Sequence, residues 1–181
     1  MRVQVIPGTT PEREFDLTVS VSGRGLGPRT VETDLASVHR PGRLWRHKWI
    51  DRAILNAAEQ QAASAASERT ILPLFVADDG TLLETSRGNL FLVTADRGLI
   101  TPPLRDDLLP GVTRRALLDL ADRTGRRFRI SGYTLDDLLR ARAVLWTSSL
   151  SGAVAVERVD GIDLPVDPEL LSELNSGLGF A

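Results

Sequence analysis

Of the 22 basic residues in this chain, 21 are arginine and only one, Lys48, is lysine. A guanidinium stays protonated in a protein, whereas a lysine amine can lose its proton and attack a carbonyl. Lys48 stands in Arg46-His47-Lys48-Trp49-Ile50-Asp51-Arg52. There Trp49 and Ile50 would desolvate it, which lowers a lysine pKa and frees its lone pair. Three other segments also carry chemistry. Glu84 ends an apolar run in Leu82-Leu83-Glu84-Thr85-Ser86-Arg87-Gly88, a placement that suits a carboxylate aimed into a cleft. Gly111-Val112-Thr113 follows Pro110 and opens a helix, whose first backbone N–H groups form an anion site. Thr147-Ser148-Ser149 sets a cluster of hydroxyls at the end of a strand. Each segment also has an ordinary reading. Lys48 could be a snorkelling surface lysine, and Glu84 a solvated hairpin charge paired with Arg87. The helix start could bind nothing, and the hydroxyls could be turn chemistry.

The elements that must position these groups follow from apolar periodicity and turn residues. Strands are expected at Arg2 to Ile6, Phe15 to Ser22, Ile71 to Ala77, Thr81 to Thr85, Asn89 to Thr94 and Leu99 to Thr101. Further strands are expected at Arg127 to Ile130, Ala143 to Thr147 and Ala153 to Arg158. Gly23 to Gly42 reads as a loop. An alanine-rich helix is expected from Asp51 to Ser67, with Asp51 as N-cap and Ile54, Ala58, Ala62 and Ala65 on one face. Helices are also expected from Val112 to Arg123, from a Thr134 capping box to Arg140, and from Pro168 to Asn175. Asp78-Asp79-Gly80 is a hairpin turn. The class is mixed α/β, α+β-like with antiparallel hairpins, and strict βαβ alternation is missing, which speaks against a doubly wound nucleotide fold.

Composition narrows the function. At 181 residues, 42% hydrophobic and 25% charged, the chain is long enough for one well-cored domain. A net charge of −2 gives no basic face for nucleic acid. The apolar runs are too short to span a bilayer, and Met1 to Val5 carries no signal-peptide core, so a cytoplasmic location is expected. Cysteine is absent and His39 and His47 are the only histidines, which leaves no cysteine or histidine-rich metal site.

An amine, an acid, a phosphate cradle and a hydroxyl cluster are the parts that pyridoxal 5′-phosphate requires. The order RHKWIDRA, LLETSRGNLFLV, ITPPL, LLPGVTRRALLDLA and WTSSLSGAVAV resembles the class IV, fold-type IV pyridoxal-phosphate enzymes. That family holds branched-chain and D-amino-acid aminotransferases and 4-amino-4-deoxychorismate lyases. The resemblance runs from about Arg2 to the end. It implies that residues 1–181 form the single large cofactor-binding domain, with entry strands and a loop over 1–45 and the motif-bearing core over 46–181. It implies Lys48 as the Schiff-base lysine and Glu84 as the partner of the pyridine nitrogen. Val112 and Thr113 would give phosphate-binding amides, Ser149 a phosphate-binding hydroxyl with Ser148 beside it, and Arg52 would stand near the phenolic oxygen. Arginine at position 52 is more like the lyases, which expel pyruvate to leave 4-aminobenzoate for folate biosynthesis; aminotransferases favour tyrosine there.

Two departures stand out. Lyase-like members often have Asn-Ser-Leu-Arg where this chain has Ser148-Ser149-Leu150-Ser151. Family enzymes also place a smaller N-terminal domain before this region, which gives an arginine to the phosphate and one wall to the pocket. The chain would then be a trimmed gene product, a fragment, or half of a split enzyme. The resemblance implies a homodimer or a partner chain; the competing reading is a non-catalytic module that acts through association.

Overall fold

Strands whose apolar residues run without alternation must be covered on both faces. The computed structural model, which describes residues 2–7, 15–20, 33–39, 52–63, 69–104 and 108–180, resolves how that cover is made. Its elements are β1 (Arg2–Pro7), β2 (Phe15–Ser20), β3 (Thr33–His39), α1 (Ala53–Ala62), β4 (Thr70–Val76), β5 (Leu82–Thr85), β6 (Asn89–Val93) and β7 (Leu99–Thr101). They continue with α2 (Val112–Arg123), β8 (Phe128–Ile130), α3 (Leu135–Leu139), β9 (Ala143–Ser148), β10 (Gly152–Val156), β11 (Arg158–Val159), β12 (Ile162–Asp163) and α4 (Pro168–Leu178). β1 and β2 form an antiparallel pair of their own. The other strands form one mixed sheet in the order β10-β9-β6-β5-β4-β3-β11-β12, with β7 and β8 branching from β6. Most pairs are antiparallel; β3 runs parallel to β4 and β11, and β7 parallel to β8.

Alternate residues of the inner strands feed two cores. Leu90, Leu92, Val144 and Trp146 pack with Leu72, Leu74 and Leu82. Phe91, Val93, Ala143 and Leu145 pack against Leu117 and Ala121 of α2 and Leu170 and Leu174 of α4. A third, smaller cluster seats α1 through Ala58 and Leu55 on Phe75, Ala77, Leu83 and Leu108. The expected capping box is formed, with Asp137 N–H on the Thr134 hydroxyl and the Thr134 N–H on the Asp137 carboxylate. Among the described residues no helix is long and apolar enough to cross a membrane.

Four expectations are corrected. The stretch 23–42 reads as loop, yet residues 33–39 form β3, in seven-residue parallel register with β4 from Thr33↔Thr70 to His39↔Val76. Only Thr33 and Leu35 of that strand are buried, so main-chain pairing holds it rather than an apolar stripe. The alanine-rich helix is shorter than its composition suggests. It starts after Arg52, which occupies the cap position without a side-chain capping bond, and it stops at Ala62 because Ala63 is extended. Asp51, expected as N-cap, and residues 64–68 lie outside the described residues. Ile54 is 66% exposed, because α1 turns Leu55 and Ala58 toward the core instead. The last expected strand also splits at Glu157 into β10 and β11.

The turn between β5 and β6 is pinned by Thr85, whose hydroxyl oxygen accepts the N–H groups of Arg87 and Gly88 at 3.2 and 3.0 Å. β9 crosses it so closely that a Cβ on Gly88 would lie 2.0 Å from the Thr147 carbonyl oxygen. That neighbour is backbone and cannot rotate away. Gly88→Ala should therefore destabilise the fold by about 2 kcal/mol, measured by urea unfolding; a loss within experimental error would show that β9 shifts freely.

Candidate active site

Glu84 is not a solvated hairpin charge. It is 5% exposed at the end of β5, directly across the ladder from Asn89 at the start of β6. Asn89 donates from Nδ2 to Glu84 Oε2 at 3.0 Å, and the Leu109 N–H donates to both carboxylate oxygens at 3.3 Å. The bland partner, Arg87, reaches Glu59 instead, at 3.4 Å. Burial of a carboxylate demands such donors, since an uncompensated buried charge costs several kcal/mol.

Leu109 connects this carboxylate to the start of α2. Its carbonyl accepts the second Asn89 Nδ2 hydrogen and the Gly111 N–H, each at 2.8 Å. Gly111 is the N-cap, extended at φ −66° and ψ 136°, and no side chain caps it. The first turn of α2 thus presents its N–H groups without an internal acceptor. Thr113 is buried, whereas the Val112 side chain is 74% exposed. Arg114 anchors the same turn: Nε donates to the Thr101 hydroxyl at 3.2 Å and Nη2 to the Pro102 carbonyl at 2.8 Å. Burial pushes its guanidinium below the usual range.

Arg52 heads α1 and reaches the β5–β6 turn, with Nη2 3.5 Å from the Ser86 carbonyl and 3.6 Å from Glu59 Oε1. Ser86 donates its hydroxyl to Glu59 at 2.6 Å. Thr147 sits beside Asn89 in the β6–β9 ladder. Ser148 follows it and closes the β9–β10 turn, its Oγ accepting the N–H groups of Leu150 and Ser151 at 3.4 and 3.2 Å. Ser149 is exposed on that turn. The structure thus brings Arg52, Glu84, the Gly111-Val112-Thr113 turn and the Thr147-Ser148-Ser149 strand end around residues 85–89. Lys48 lies outside the described residues. The sequence reading passed over Asn89 and Arg114. For Asn89 a signal existed: it is the one polar residue heading the apolar run Asn89-Leu90-Phe91-Leu92-Val93.

With this arrangement in view, comparison with known proteins is informative. The family model for class IV aminotransferases matches residues 7–159. The chain belongs to that family. It is 30% identical over 133 residues to the bifunctional aminodeoxychorismate lyase/D-amino acid transaminase of Mycobacterium tuberculosis, covering 69% of this chain and 44% of that protein. It is 33% identical over 158 residues to the chloroplastic branched-chain-amino-acid aminotransferase 3 of Arabidopsis thaliana, covering 84% of this chain and 37% of that protein. A solved structure of a hypothetical aminotransferase from Mycobacterium tuberculosis, in its PLP-bound form, superposes with a TM-score of 0.65 at 26% identity, over 79% of this chain and 54% of that one. The chain spans under half the length of these two relatives.

Glu59 is the acid that ties α1 to the β5–β6 turn. Burial by itself raises its carboxyl, but hydrogen bonds from Ser86 and Arg87, with the charges of Arg87 and Arg52, outweigh that and hold it below its ordinary 4.5. A depressed carboxylate stabilises the fold above its unfolded pKa and loses that contribution as pH falls through the folded value. Glu59→Gln should therefore cost about 0.5–1 kcal/mol at neutral pH. The difference from wild type should shrink to nothing in acid, below pH 4.5. Urea midpoints across pH test this, and a constant difference would refute the assignment.

Proposed function

We propose that this chain holds pyridoxal 5′-phosphate where Glu84 meets the start of α2, and acts on an amino compound as an aminodeoxychorismate lyase, eliminating pyruvate to leave 4-aminobenzoate. The observation that carries the cofactor reading is the direct link between a buried carboxylate and an uncapped helix start, through the Leu109 N–H. A protonated ring nitrogen fits the carboxylate and an anionic group fits the helix start. When bound, the cofactor supplies an aldehyde that amines condense with and a cationic ring that draws electron density from the substrate carbon.

In this reading Glu84 holds the proton at the ring nitrogen, and Val112 and Thr113 bind the phosphate through their N–H groups. Ser149 adds a hydroxyl to the phosphate, on a turn whose shape Ser148 sets. Arg52 stands at the phenolic oxygen. The Lys48 amine anchors the cofactor and then moves the proton at the substrate carbon. Lys48 is four residues from Arg52, which reaches the carbonyl of Ser86 two residues past Glu84.

Arg52, in the place where the family's aminotransferases favour tyrosine, supports the lyase; the name of the mycobacterial relative carries both activities. Ser148 and Ser151, where lyases often carry asparagine and arginine, favour the second reading, an amino-acid aminotransferase acting on branched-chain or D-amino acids. In either case the resemblance assigns one pocket wall to the family's smaller domain, and it implies a homodimer or a partner chain.

Mixing the chain with pyridoxal phosphate and reducing with borohydride should leave a stable adduct on Lys48, located by peptide mass and absent in Lys48→Ala. A folded chain with no adduct would overturn the enzyme reading and leave the associating module. Val112→Pro tests the phosphate cradle separately. Proline is tolerated at the first helical position, and Gly111 at ψ 136° already has the extended conformation proline demands of its predecessor. Loss of that one N–H should weaken pyridoxal phosphate about tenfold and leave pyridoxal, which has no phosphate, unaffected. Equal effects on both compounds would remove α2 from the phosphate site.

A further inference from the structure

We propose that Asn89 is a positioning residue that fixes the Glu84 carboxylate and the start of α2 as one unit, and so sets the spacing between the ring-nitrogen partner and the phosphate cradle. The proposal rests on the cofactor reading above. Asn89 is 2% exposed, and its amide has two hydrogens and two receivers: Glu84 Oε2 at 3.0 Å and the Leu109 carbonyl at 2.8 Å. Because both receivers are acceptors only, the amide has one workable orientation, with nitrogen toward them and oxygen away. The oxygen then faces Gly111, where a Cβ would stand 2.0 Å from Oδ1 and 3.2 Å from Cγ. The amide is thus closed in by β5 on one side and the α2 approach on the other. Its backbone is fixed as well, paired with Glu84 on β5 and with Thr147 on β9.

Leu109 receives the same unit from both ends, its N–H on Glu84 and its carbonyl under the Asn89 amide. If Asn89 turned, the carboxylate would lose a donor and the segment that leads into Gly111 would lose its anchor together. Aspartate has nearly the same shape but brings an acceptor where two acceptors already stand, so Asn89→Asp removes both bonds and adds repulsion without opening a cavity.

The test uses pyridoxine 5′-phosphate, which has the ring nitrogen and the phosphate but no aldehyde, so its binding is independent of Lys48. Affinity and the ultraviolet band that reports ring-nitrogen protonation are read for wild type, N89D, E84Q and the double variant. N89D should bind about tenfold more weakly and lose the protonated-ring band. In the double-mutant cycle, E84Q should add little once Asn89 is replaced, because the two act through one contact. Additive losses, or an N89D chain that shows the wild-type band, would overturn the positioning role. Should N89D not fold, N89S carries the same expectation, and failure of both to fold would make Asn89 structural and overturn the proposal. If the wild-type chain binds neither pyridoxine phosphate nor pyridoxal phosphate, the cofactor reading itself falls; if it binds and N89D matches it, only the role of Asn89 does.

Discussion

A carboxylate buried at a strand end costs several kcal/mol unless donors reach it, and charge-assisted hydrogen bonds return roughly 1.5–3 kcal/mol each. Glu84 therefore needs more than one, and its described donors come from different parts of the chain: the Asn89 side chain of β6 and the Leu109 backbone ahead of α2. Neither is a neighbour in sequence along the same element. The carboxylate can be buried only when β5 and β6 are paired, β6 is zipped to β9, and the α2 approach is docked. Its burial thus makes the site a cooperative product of the fold, because the described donors come from more than one element.

The helix starts divide along the same line. α3 begins with the Thr134–Asp137 capping box, and α4 begins with Asp167, whose carboxylate accepts the Leu170 N–H at 3.1 Å. Asp167 also takes Arg142 and Arg97, and the Arg142 hydrogen bond leads in holding it below the ordinary carboxylate range. At α1 and α2 the cap positions are Arg52 and Gly111, and among the described residues neither receives a side-chain cap. A missing cap costs about 1 kcal/mol of helix stability. The chain leaves that cost standing at α2, which opens toward residues 85–89, and removes it at α3 and α4. For α2 the packing of Leu117, Leu118 and Ala121 and the buried Arg114 clamp offset it.

What could be read from the residues, and what could not, follows from the range of each interaction. The Asp78-Asp79-Gly80 turn, the Thr134 capping box and the β6 and β9 runs are local patterns, and all form where the sequence puts them. Glu84 and the Gly111 helix start were legible as separate pieces of chemistry for the same reason. β3 was not, since its partners lie at residues 70–76 and 158–159 and its own side chains are only weakly apolar. Asn89 was hidden by the same rule: its importance is the cross-strand pairing with Glu84 and the approach of Leu109, twenty residues onward. Ile54 was misplaced because an alanine-rich helix carries little periodic signal to say which side is inward.

Residues 85–89 are where these long-range contacts converge. α1 reaches the segment through Arg52 on Ser86 and Glu59 on Ser86 and Arg87. β9 lies across Gly88, and the α2 approach is held by Asn89. Three elements far apart in sequence thus all reach one short turn, and α2 and β9 also pack on each other. A group bound among them would have each of its contacts set by that turn, so a displacement of any one element is resisted by the other two. That is how a site assembled from strand ends and helix starts keeps its spacing without being carried on one rigid element.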